Sequence, residues 1–352
     1  MEVARAAFFV GPREIRVGPI DLPRVEPGMV LLRVLACGVC GTNLHSWQAP
    51  RLTTGRNPDA GASGHEVAGQ VVEVGAGVTS VRVGDRVGVE LFESRACGRC
   101  RYCHEGRFFH CEQKRPTNAG GFVDYILMYD KGLYKLPESM SAAEGTLLEP
   151  FSCSLHAVRM AGLLGGETVL VLGAGLLGIF AVAAAKLYGA GKVICTAKYH
   201  FQAEAAARFG ADLVVDSSDP QLERRVKDEA GGRGPDVVIE SVGGRASTIQ
   251  QAMSVVRPVG KVMVMGLFDE PVPIDTWQAV IKELSLIFPA TYSVMGMRHE
   301  YELALELLAS GKVPGKELIS HRFGLGEVQR AFEVAADRSR GVFRVVVEPP
   351  LG

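Results

Sequence analysis

The chain has 352 residues, of which 47% are hydrophobic, so it is long enough for about two domains that each bury a core. Its 38 basic and 39 acidic residues give a formal net charge of -1. This balance excludes a bulk electrostatic attraction to nucleic acid or to an anionic membrane, and a small neutral substrate fits it better.

The N-terminal segment predicts a first β-strand rather than an export signal. Its apolar run, Ala6 to Val10, ends at Gly11 and Pro12 and is shorter than the hydrophobic region of a secretory signal. We therefore expect a cytoplasmic protein. In that compartment the eight cysteines are reduced thiols available to metal rather than a disulfide framework.

Short apolar and alternating runs, separated by Gly-Asp and Pro-Gly turns, predict an antiparallel β-rich domain over residues 1–155. Cys40, His65 and Glu149 in this domain supply one thiol, one imidazole and one carboxylate. A catalytic zinc site typically has three such ligands and one open position. A lone Cys, His or Glu is more often structural than a ligand, so the prediction of a zinc site depends on the other motifs in the chain.

The segment CGRCRYCHEGRFFHC carries four cysteines with gaps of two, two and seven residues. This spacing is typical of a closed, tetrahedral zinc site made of thiolates. We predict a structural zinc lobe over about residues 93–115, which gives two Zn²⁺ ions per chain. The alternative is a loop with free thiols. The four predicted ligands are Cys97, Cys100, Cys103 and Cys111.

From about Leu163 the sequence alternates between apolar strands and helical segments, which predicts a parallel, doubly wound Rossmann sheet over residues 156–290. The stretch from Val169 to Ala185 has no charge, but it is shorter than a membrane span and contains glycines where a strand would turn into a helix. A final strand, GVFRVVVEP, predicts that residues 291–352 return to the first domain.

Gly173, Gly175 and Gly178 form the motif GAGLLG between an apolar strand and an apolar helix. The first glycine permits a tight turn, the second lets the backbone approach a pyrophosphate, and the third lets helix pack on strand. The helix N-terminus at Leu176 and Leu177 would then face the anion. We predict a site for NADP or NAD; the alternative is glycines that serve only helix packing.

After the next strand, where a carboxylate usually binds the adenosine ribose, the sequence is CTAKYH, from Cys195 to His200. Lys198, aided by the Thr196 hydroxyl or by His200, would meet a 2′-phosphate, and Tyr199 belongs to the same cofactor-binding segment. NADP is therefore favoured over NAD. The alternative is a solvated lysine in an enzyme that accepts either cofactor.

Together these motifs resemble those of the zinc-containing medium-chain dehydrogenase/reductase family, which includes alcohol, polyol and threonine dehydrogenases. The resemblance covers nearly the whole chain. The segments that carry it are CGVCGTNLH (37–45), GHEVAGQVVEVG (64–75), VGDRV (83–87), the four-cysteine segment, EPFSCSLHAV (149–158) and GAGLLG (173–178).

The resemblance implies a GroES-like fold for the β-rich domain and a catalytic zinc on Cys40, His65 and Glu149. Glu66 matches a family glutamate that approaches the metal or exchanges onto it. Thr42 matches the hydroxyl that bonds the reacting oxygen, and His45 matches the histidine that relays the proton to solvent.

One position departs from the family pattern. The family usually has an aspartate that accepts a hydrogen bond from the ligating histidine, whereas this chain has Asn43. We expect Asn43 to accept that bond without the charge, which would weaken zinc retention. Asn43→Asp would then tighten zinc.

These parts predict a zinc-dependent oxidoreductase that transfers hydride between a secondary alcohol, polyol or amino alcohol, or the corresponding ketone, and NADP or NAD. The resemblance suggests a homotetramer or homodimer with no nucleic-acid or membrane partner. One alternative is an epimerase or lyase that uses NAD(P) without net redox change. The other is a non-catalytic protein that binds zinc and nucleotide.

Overall fold

The computed structural model describes residues 3–48, 61–117 and 120–350. The chain divides into two compact units, of which the first comprises Met1–Glu149 with Ser293–Gly352 and the second comprises Pro150–Tyr292. The first boundary falls after Glu149, six residues before the predicted one, because a single helix, Leu148–Ala161, runs through this part of the chain.

The strands in chain order are β1 (Val3–Gly11), β2 (Glu14–Asp21), β3 (Met29–Gly38), β4 (Glu66–Val74), β5 (Arg86–Val89), β6 (Tyr125–Tyr129), β7 (Leu133–Lys135), β8 (Thr168–Leu172), β9 (Lys192–Ala197), β10 (Leu213–Asp216), β11 (Val237–Glu240), β12 (Lys261–Val264), β13 (Ser285–Ile287), β14 (Val294–Met295), β15 (Arg298–His299), β16 (Ile319–Gly324) and β17 (Arg344–Glu348).

The α-helices are α1 (Gly41–Gln48), α2 (Leu91–Arg95), α3 (Arg101–His104), α4 (Ala142–Gly145), α5 (Leu148–Ala161), α6 (Leu176–Leu187), α7 (His200–Arg208), α8 (Leu222–Glu229), α9 (Thr248–Val255), α10 (Thr276–Ile281), α11 (Glu300–Ala309) and α12 (Val328–Ala336). Within the described residues, short 3₁₀ segments lie at Phe108–His110, Gly315–Leu318, Leu325–Glu327 and Arg338–Arg340.

The first unit is built on a seven-stranded sheet in the order β16-β17-β3-β4-β5-β7, with β6 paired to β3. All pairs are antiparallel except β16 with β17. The register aligns Gly38 at the end of β3 with Glu66 on β4 and with Val346 on β17. Three segments distant in sequence therefore meet at this end of the sheet, two residues before Cys40.

The second unit is a parallel sheet of six strands in the order β10-β9-β8-β11-β12-β13. β8 is the first strand of this sheet in sequence and lies at its centre, with β9 and β10 on one side and β11 to β13 on the other. This is the doubly wound arrangement of two mononucleotide-binding halves. The fold-class prediction is confirmed. The uncharged stretch forms β8 and α6, and none of the described helices is long and apolar enough to cross a membrane.

Candidate active site

Cys40, His65 and Glu66 form a cluster of potential metal ligands in the first unit. Cys40 immediately precedes α1, His65 immediately precedes β4, and Glu66 is the first residue of β4. One ligand atom from each residue lies within 4.8 Å of the others. A thiol, an imidazole and a carboxylate at this separation suit a divalent cation with a preference for mixed sulfur, nitrogen and oxygen ligands, such as Zn²⁺.

Glu149, the predicted third ligand, is buried at the start of α5 but lies outside that 4.8 Å group. It acts on the cluster through its charge. Burial disfavours the imidazolium form of His65, but the negative groups of Cys40, Glu149 and Glu66 outweigh burial and raise the pKa of His65 well above its usual value. The cluster thus has an excess of negative charge that a bound cation would neutralise.

Glu66 is held by Arg344, a residue that the sequence analysis missed. Both side chains are almost fully buried, and the guanidinium of Arg344 donates two hydrogen bonds to the Glu66 carboxylate, Nη2 to Oε1 at 2.9 Å and Nη1 to Oε2. A Cβ atom at Gly38 would overlap both groups, so a larger residue there would displace this buried ion pair. The single arginine within the apolar strand GVFRVVVEP is the feature of the sequence that could have indicated a buried ion pair.

The hydrogen bonds of Asn43 differ from the expected ones. Its Oδ1 accepts from the backbone N–H of Cys40 at 2.9 Å, and its Nδ2 donates to the carbonyl oxygen of Ser63 at 3.0 Å. The Nδ1 of His65 also lies 3.0 Å from that carbonyl oxygen. The prediction that Asn43 accepts the hydrogen bond of His65 is therefore wrong, because a backbone carbonyl takes this role.

Thr42 and His45 lie on α1, one helical turn apart. The Thr42 Oγ1 is 3.5 Å from the Cys40 Sγ, and the Thr42 side chain is exposed. His45 is half-buried on the same side of the helix, since residues three apart are neighbours on a helix surface. Along α1, the Thr42 hydroxyl therefore lies beside the cluster and the His45 imidazole lies one turn farther from it. Their roles in proton transfer remain predictions.

The four cysteines of the predicted lobe come together in the first unit. The Sγ atoms of Cys97, Cys100, Cys103 and Cys111 lie within 4.8 Å of one another. Hydrogen bonds, the largest from the Arg99 backbone, lower the pKa of Cys97 to about 6, whereas burial raises the pKa of Cys103 to about 12. Backbone N–H groups aimed at sulfur suit thiolates, the form that binds zinc.

A third group of potential ligands, Glu90, Glu93 and His299, also lies within 4.8 Å. The backbone N–H of Tyr301 donates to the Nδ1 of His299 at 3.0 Å. Burial lowers the pKa of His299 to about 4, so the ring is neutral and its proton is on Nε2. The one nitrogen lone pair of that tautomer, on Nδ1, is already engaged by the Tyr301 N–H, so the His299 ring does not suit a metal ligand.

In the second unit, the glycine motif forms the turn between β8 and α6. Gly173 has φ +97°, a backbone conformation that residues with a side chain rarely adopt. A Cβ atom at Gly178 would overlap the Gly173 carbonyl oxygen. Nothing lies within 4 Å of the Cβ position at Gly175, the N-cap of α6. The backbone N–H groups of Gly175, Leu176 and Leu177 therefore begin a helix beside open space, as a pyrophosphate site requires.

The segment after β9 contains the residues predicted to select the cofactor. Lys198 and His200 are exposed, and the Lys198 Nζ lies 5.6 Å from the ring centroid of Tyr199. Thr196 differs from expectation: it is buried, and its Oγ1 accepts the N–H of Gly173 at 2.9 Å. Its hydroxyl oxygen is thus engaged by the glycine loop rather than exposed to a phosphate.

Glu240, which the sequence analysis did not single out, organises the loops at the carboxyl edge of the second sheet. Its buried Oε1 accepts hydrogen bonds from the N–H groups of Val242 and Gly243 and from the Thr248 hydroxyl, at 2.7–2.9 Å. Ligands of doubly wound sheets bind at this edge. The glutamate that ends the otherwise apolar strand VVIE is the feature of the sequence that could have indicated this role.

Comparisons with known proteins agree with this geometry. Residues 26–138 match the family model of the alcohol dehydrogenase GroES-like domain, and residues 177–310 match that of the zinc-binding dehydrogenases. The chain is 33% identical to sorbitol dehydrogenase of Bacillus subtilis (strain 168), over 98% of this chain and 97% of that protein. It is 34% identical to L-threonine 3-dehydrogenase of Pyrococcus horikoshii, over 90% of each.

Among solved structures, one similar protein comes from Sinorhizobium meliloti 1021 and is assigned as a zinc-binding dehydrogenase, with NADP bound. Its TM-score to this chain is 0.87 at 29% sequence identity, and the match covers 99% of this chain and 100% of that one. The likeness therefore extends over both compact units.

Proposed function

This chain belongs to the zinc-containing medium-chain dehydrogenase/reductase family, and on that premise we propose which of its residues carry the reaction and which substrate and cofactor it takes. It is a zinc-dependent oxidoreductase that transfers hydride between an alcohol and NAD(P). We infer that its substrates are secondary alcohols, polyols or amino alcohols. The observation that carries this proposal is the cluster of Cys40, His65 and Glu66 beside the buried Glu149.

The proposed catalytic zinc is bound by Cys40, His65 and Glu149, with Glu66 close enough to approach the metal. Two observations support this assignment: Cys40 and His65 lie close to Glu66, and the negative charge of Glu149 raises the pKa of His65. Zinc held there supplies Lewis-acid polarisation of the substrate oxygen. The bidentate hold of Arg344 on Glu66 favours Glu149 as the resting carboxylate ligand.

Thr42 and His45 are the proposed path for the substrate proton. The Oγ1 of Thr42, 3.5 Å from the Cys40 Sγ, accepts the proton of a substrate hydroxyl bound at the cluster and donates its own proton onward. His45, one turn later and half exposed, passes that proton to solvent. In the reverse direction the same groups return a proton to the substrate oxygen.

The second proposed zinc is structural and is bound by Cys97, Cys100, Cys103 and Cys111. The Cys103 Sγ lies 3.5 Å from the Cys100 Sγ and 3.9 Å from the Cys97 Sγ, close to the separation of about 3.8 Å between thiolates that share one tetrahedral zinc ion. Four thiolates leave such an ion no open position, so this site takes no part in catalysis. The unbridged thiols also support the proposed cytoplasmic location.

NADP is the proposed cofactor. Its pyrophosphate would bind the N-terminus of α6, and its 2′-phosphate would meet the exposed cation of Lys198, with His200 nearby. The NADP bound to the similar Sinorhizobium protein supports this choice. Tyr199 stacks with Phe201, ring centroids 5.6 Å apart, and lies beside that cation.

An assay with sorbitol, threonine and 2,3-butanediol, each with NADP and with NAD, tests the proposed function. We expect turnover of at least one substrate, with kcat/KM about tenfold or more higher for NADP, since one charge-assisted hydrogen bond contributes about 1.5–3 kcal/mol. Lys198→Ala should remove most of that preference without changing kcat/KM for NAD.

Two outcomes would contradict this assignment. A strong preference for NAD in the unaltered protein would refute the role of Lys198. Product formation without any change in nicotinamide absorbance would instead indicate the epimerase or lyase alternative.

A homodimer is the proposed assembly, with a homotetramer as the larger assembly that two such dimers would form. Edge strand β13 pairs only with β12 among the described strands, which leaves one row of backbone groups available. Exposed apolar side chains on α10 and after β13 form what we call the edge patch. Its members are Trp277, Val280, Ile281 and Phe288. A second copy would cover this patch and pair with β13 across a two-fold axis.

Trp277→Glu should weaken the dimer by about 30-fold or more, because a buried interface tryptophan typically contributes at least about 2 kcal/mol. Trp277 is 76% exposed in the single chain, so the substitution should not unfold it. Light scattering after size exclusion would measure the mass. The control is Leu164→Glu, at an apolar residue 96% exposed and outside the patch. Equal masses for both variants and the unaltered protein would contradict the edge-patch interface.

A further inference from the structure

The backbone that leads into His65 has an unusual conformation. Ala62 and Ser63 are consecutive non-glycine residues with positive φ, +43° and +59°. Each such residue costs roughly 1–2 kcal/mol and persists only where the surroundings hold it. This strained turn directs the Ser63 carbonyl oxygen toward the Nδ1 of His65, 3.0 Å away. A carbonyl can only accept, so in the neutral ring, the form that binds a metal, Nδ1 carries the proton and Nε2 keeps the lone pair.

Asn43 is the side chain that holds this turn. It is 0% exposed, and its Nδ2 donates to the same Ser63 carbonyl at 3.0 Å. Its Oδ1 meanwhile accepts from the backbone N–H of Cys40, at the N-terminus of α1. One amide therefore connects the two loops that present Cys40 and His65, although these ligands come from different segments of the first unit.

We propose that Asn43 is a positioning residue that fixes Cys40 and aims His65 at the zinc through the Ser63 carbonyl. The inference rests on the proposed zinc site. The role needs one acceptor and one donor in the same side chain, which an amide provides. An aspartate could accept from Cys40 but could not donate to Ser63, and its second oxygen would repel that carbonyl. Asparagine is thus matched to the strained turn. Asn43→Asp is therefore expected to weaken zinc binding, the opposite of the effect expected from the sequence.

The test measures zinc release from the holoprotein to a chromophoric chelator. In the unaltered chain we expect two zinc ions, one released slowly from the four cysteines and one from Cys40, His65 and Glu149. In Asn43→Asp we expect the second ion to be lost about 10–100-fold faster, the usual effect of removing a group that orients a metal ligand. Release from the four-cysteine site should not change.

Gln329→Glu is the matched control. The Gln329 amide also bridges two backbone groups, accepting from the Ile15 N–H at 2.9 Å and donating to the Arg13 carbonyl at 3.1 Å, but it is not part of the ligand cluster. It should lower stability without changing release of either zinc. Asn43→Ala removes both hydrogen bonds of this side chain without burying a negative charge, and we expect the same selective zinc loss in it.

The outcomes separate this inference from the proposed function. Selective loss of one zinc in both Asn43 variants, and not in Gln329→Glu, supports the positioning role. Retention of that zinc as tightly as in the unaltered chain, or more tightly, overturns it, as does loss of both ions together in step with unfolding. An unaltered chain that holds zinc only at the four cysteines would instead refute the proposed catalytic site.

Discussion

Cys40→Ser should lower kcat by at least about a thousandfold and leave the cofactor bound. Metal-ion polarisation of the substrate oxygen contributes several kcal/mol to catalysis, and each 1.4 kcal/mol is about a factor of ten in rate. A serine hydroxyl is not ionised near neutral pH and binds Zn²⁺ far less well than a thiolate. The glycine motif belongs to the other compact unit and does not depend on Cys40.

Three measurements check this result: turnover, zinc content and cofactor affinity by fluorescence titration. We expect one zinc per chain in place of two, and an unchanged Kd for NADP. Cys37→Ser is the matched control, since Cys37 is a buried thiol on β3 whose Sγ donates to the Gly38 carbonyl and which is not in the ligand cluster. That variant should keep both zinc ions. A normal kcat in Cys40→Ser would refute the zinc role of this cysteine.

Arg344→Met should lower the free energy of unfolding by about 3–5 kcal/mol, the usual cost of leaving one partner of a buried ion pair uncompensated. Burial disfavours the charged guanidinium, but Glu66 outweighs burial and raises the pKa of Arg344 above its usual value. Methionine fills a similar volume but cannot donate to Glu66. The Glu66 carboxylate would then be buried without the partner that compensates its charge. Urea unfolding would measure the loss.

The control for this variant is Arg5→Met, which breaks the ion pair of Arg5 with Asp124 at 2.9 Å. Because the Arg5 side chain is 44% exposed, its loss should cost at most about 1 kcal/mol. Adding Glu66→Gln to Arg344→Met should recover part of the stability, since no buried charge then lacks a partner. Equal stability losses in Arg344→Met and Arg5→Met would show that the buried pair has no special role.

Features that depend on short stretches of sequence could be predicted with their residues. The four-cysteine spacing and the motif GAGLLG each lie within one segment, so local geometry determines which atoms converge. The structure brings the four Sγ atoms together and places Gly173 at a positive φ. The alternation of strands and helices likewise predicted the doubly wound sheet, because helices on both faces make each strand a continuous apolar run.

Contacts between distant segments could not be assigned from the same information. Asn43 and Ser63 are 20 residues apart, and both donor and acceptor roles were chemically open to an asparagine. Thr196 was expected to reach a phosphate, yet its hydroxyl oxygen accepts the N–H of Gly173, in the glycine turn that follows the neighbouring strand β8. A hydrogen-bonding side chain takes whichever partner the fold places beside it, and its own sequence neighbourhood does not specify that partner.

By itself, the sequence determined the fold class, the family and the kinds of group available to metal and nucleotide, because these follow from local spacing and periodicity. Only the tertiary structure decided how those groups are held. Glu66 and Arg344 are 278 residues apart, and they meet because β3 lies between β4 and β17 in the sheet. That strand order arises from the packing of the whole unit, so no segment of the sequence encodes the pair alone.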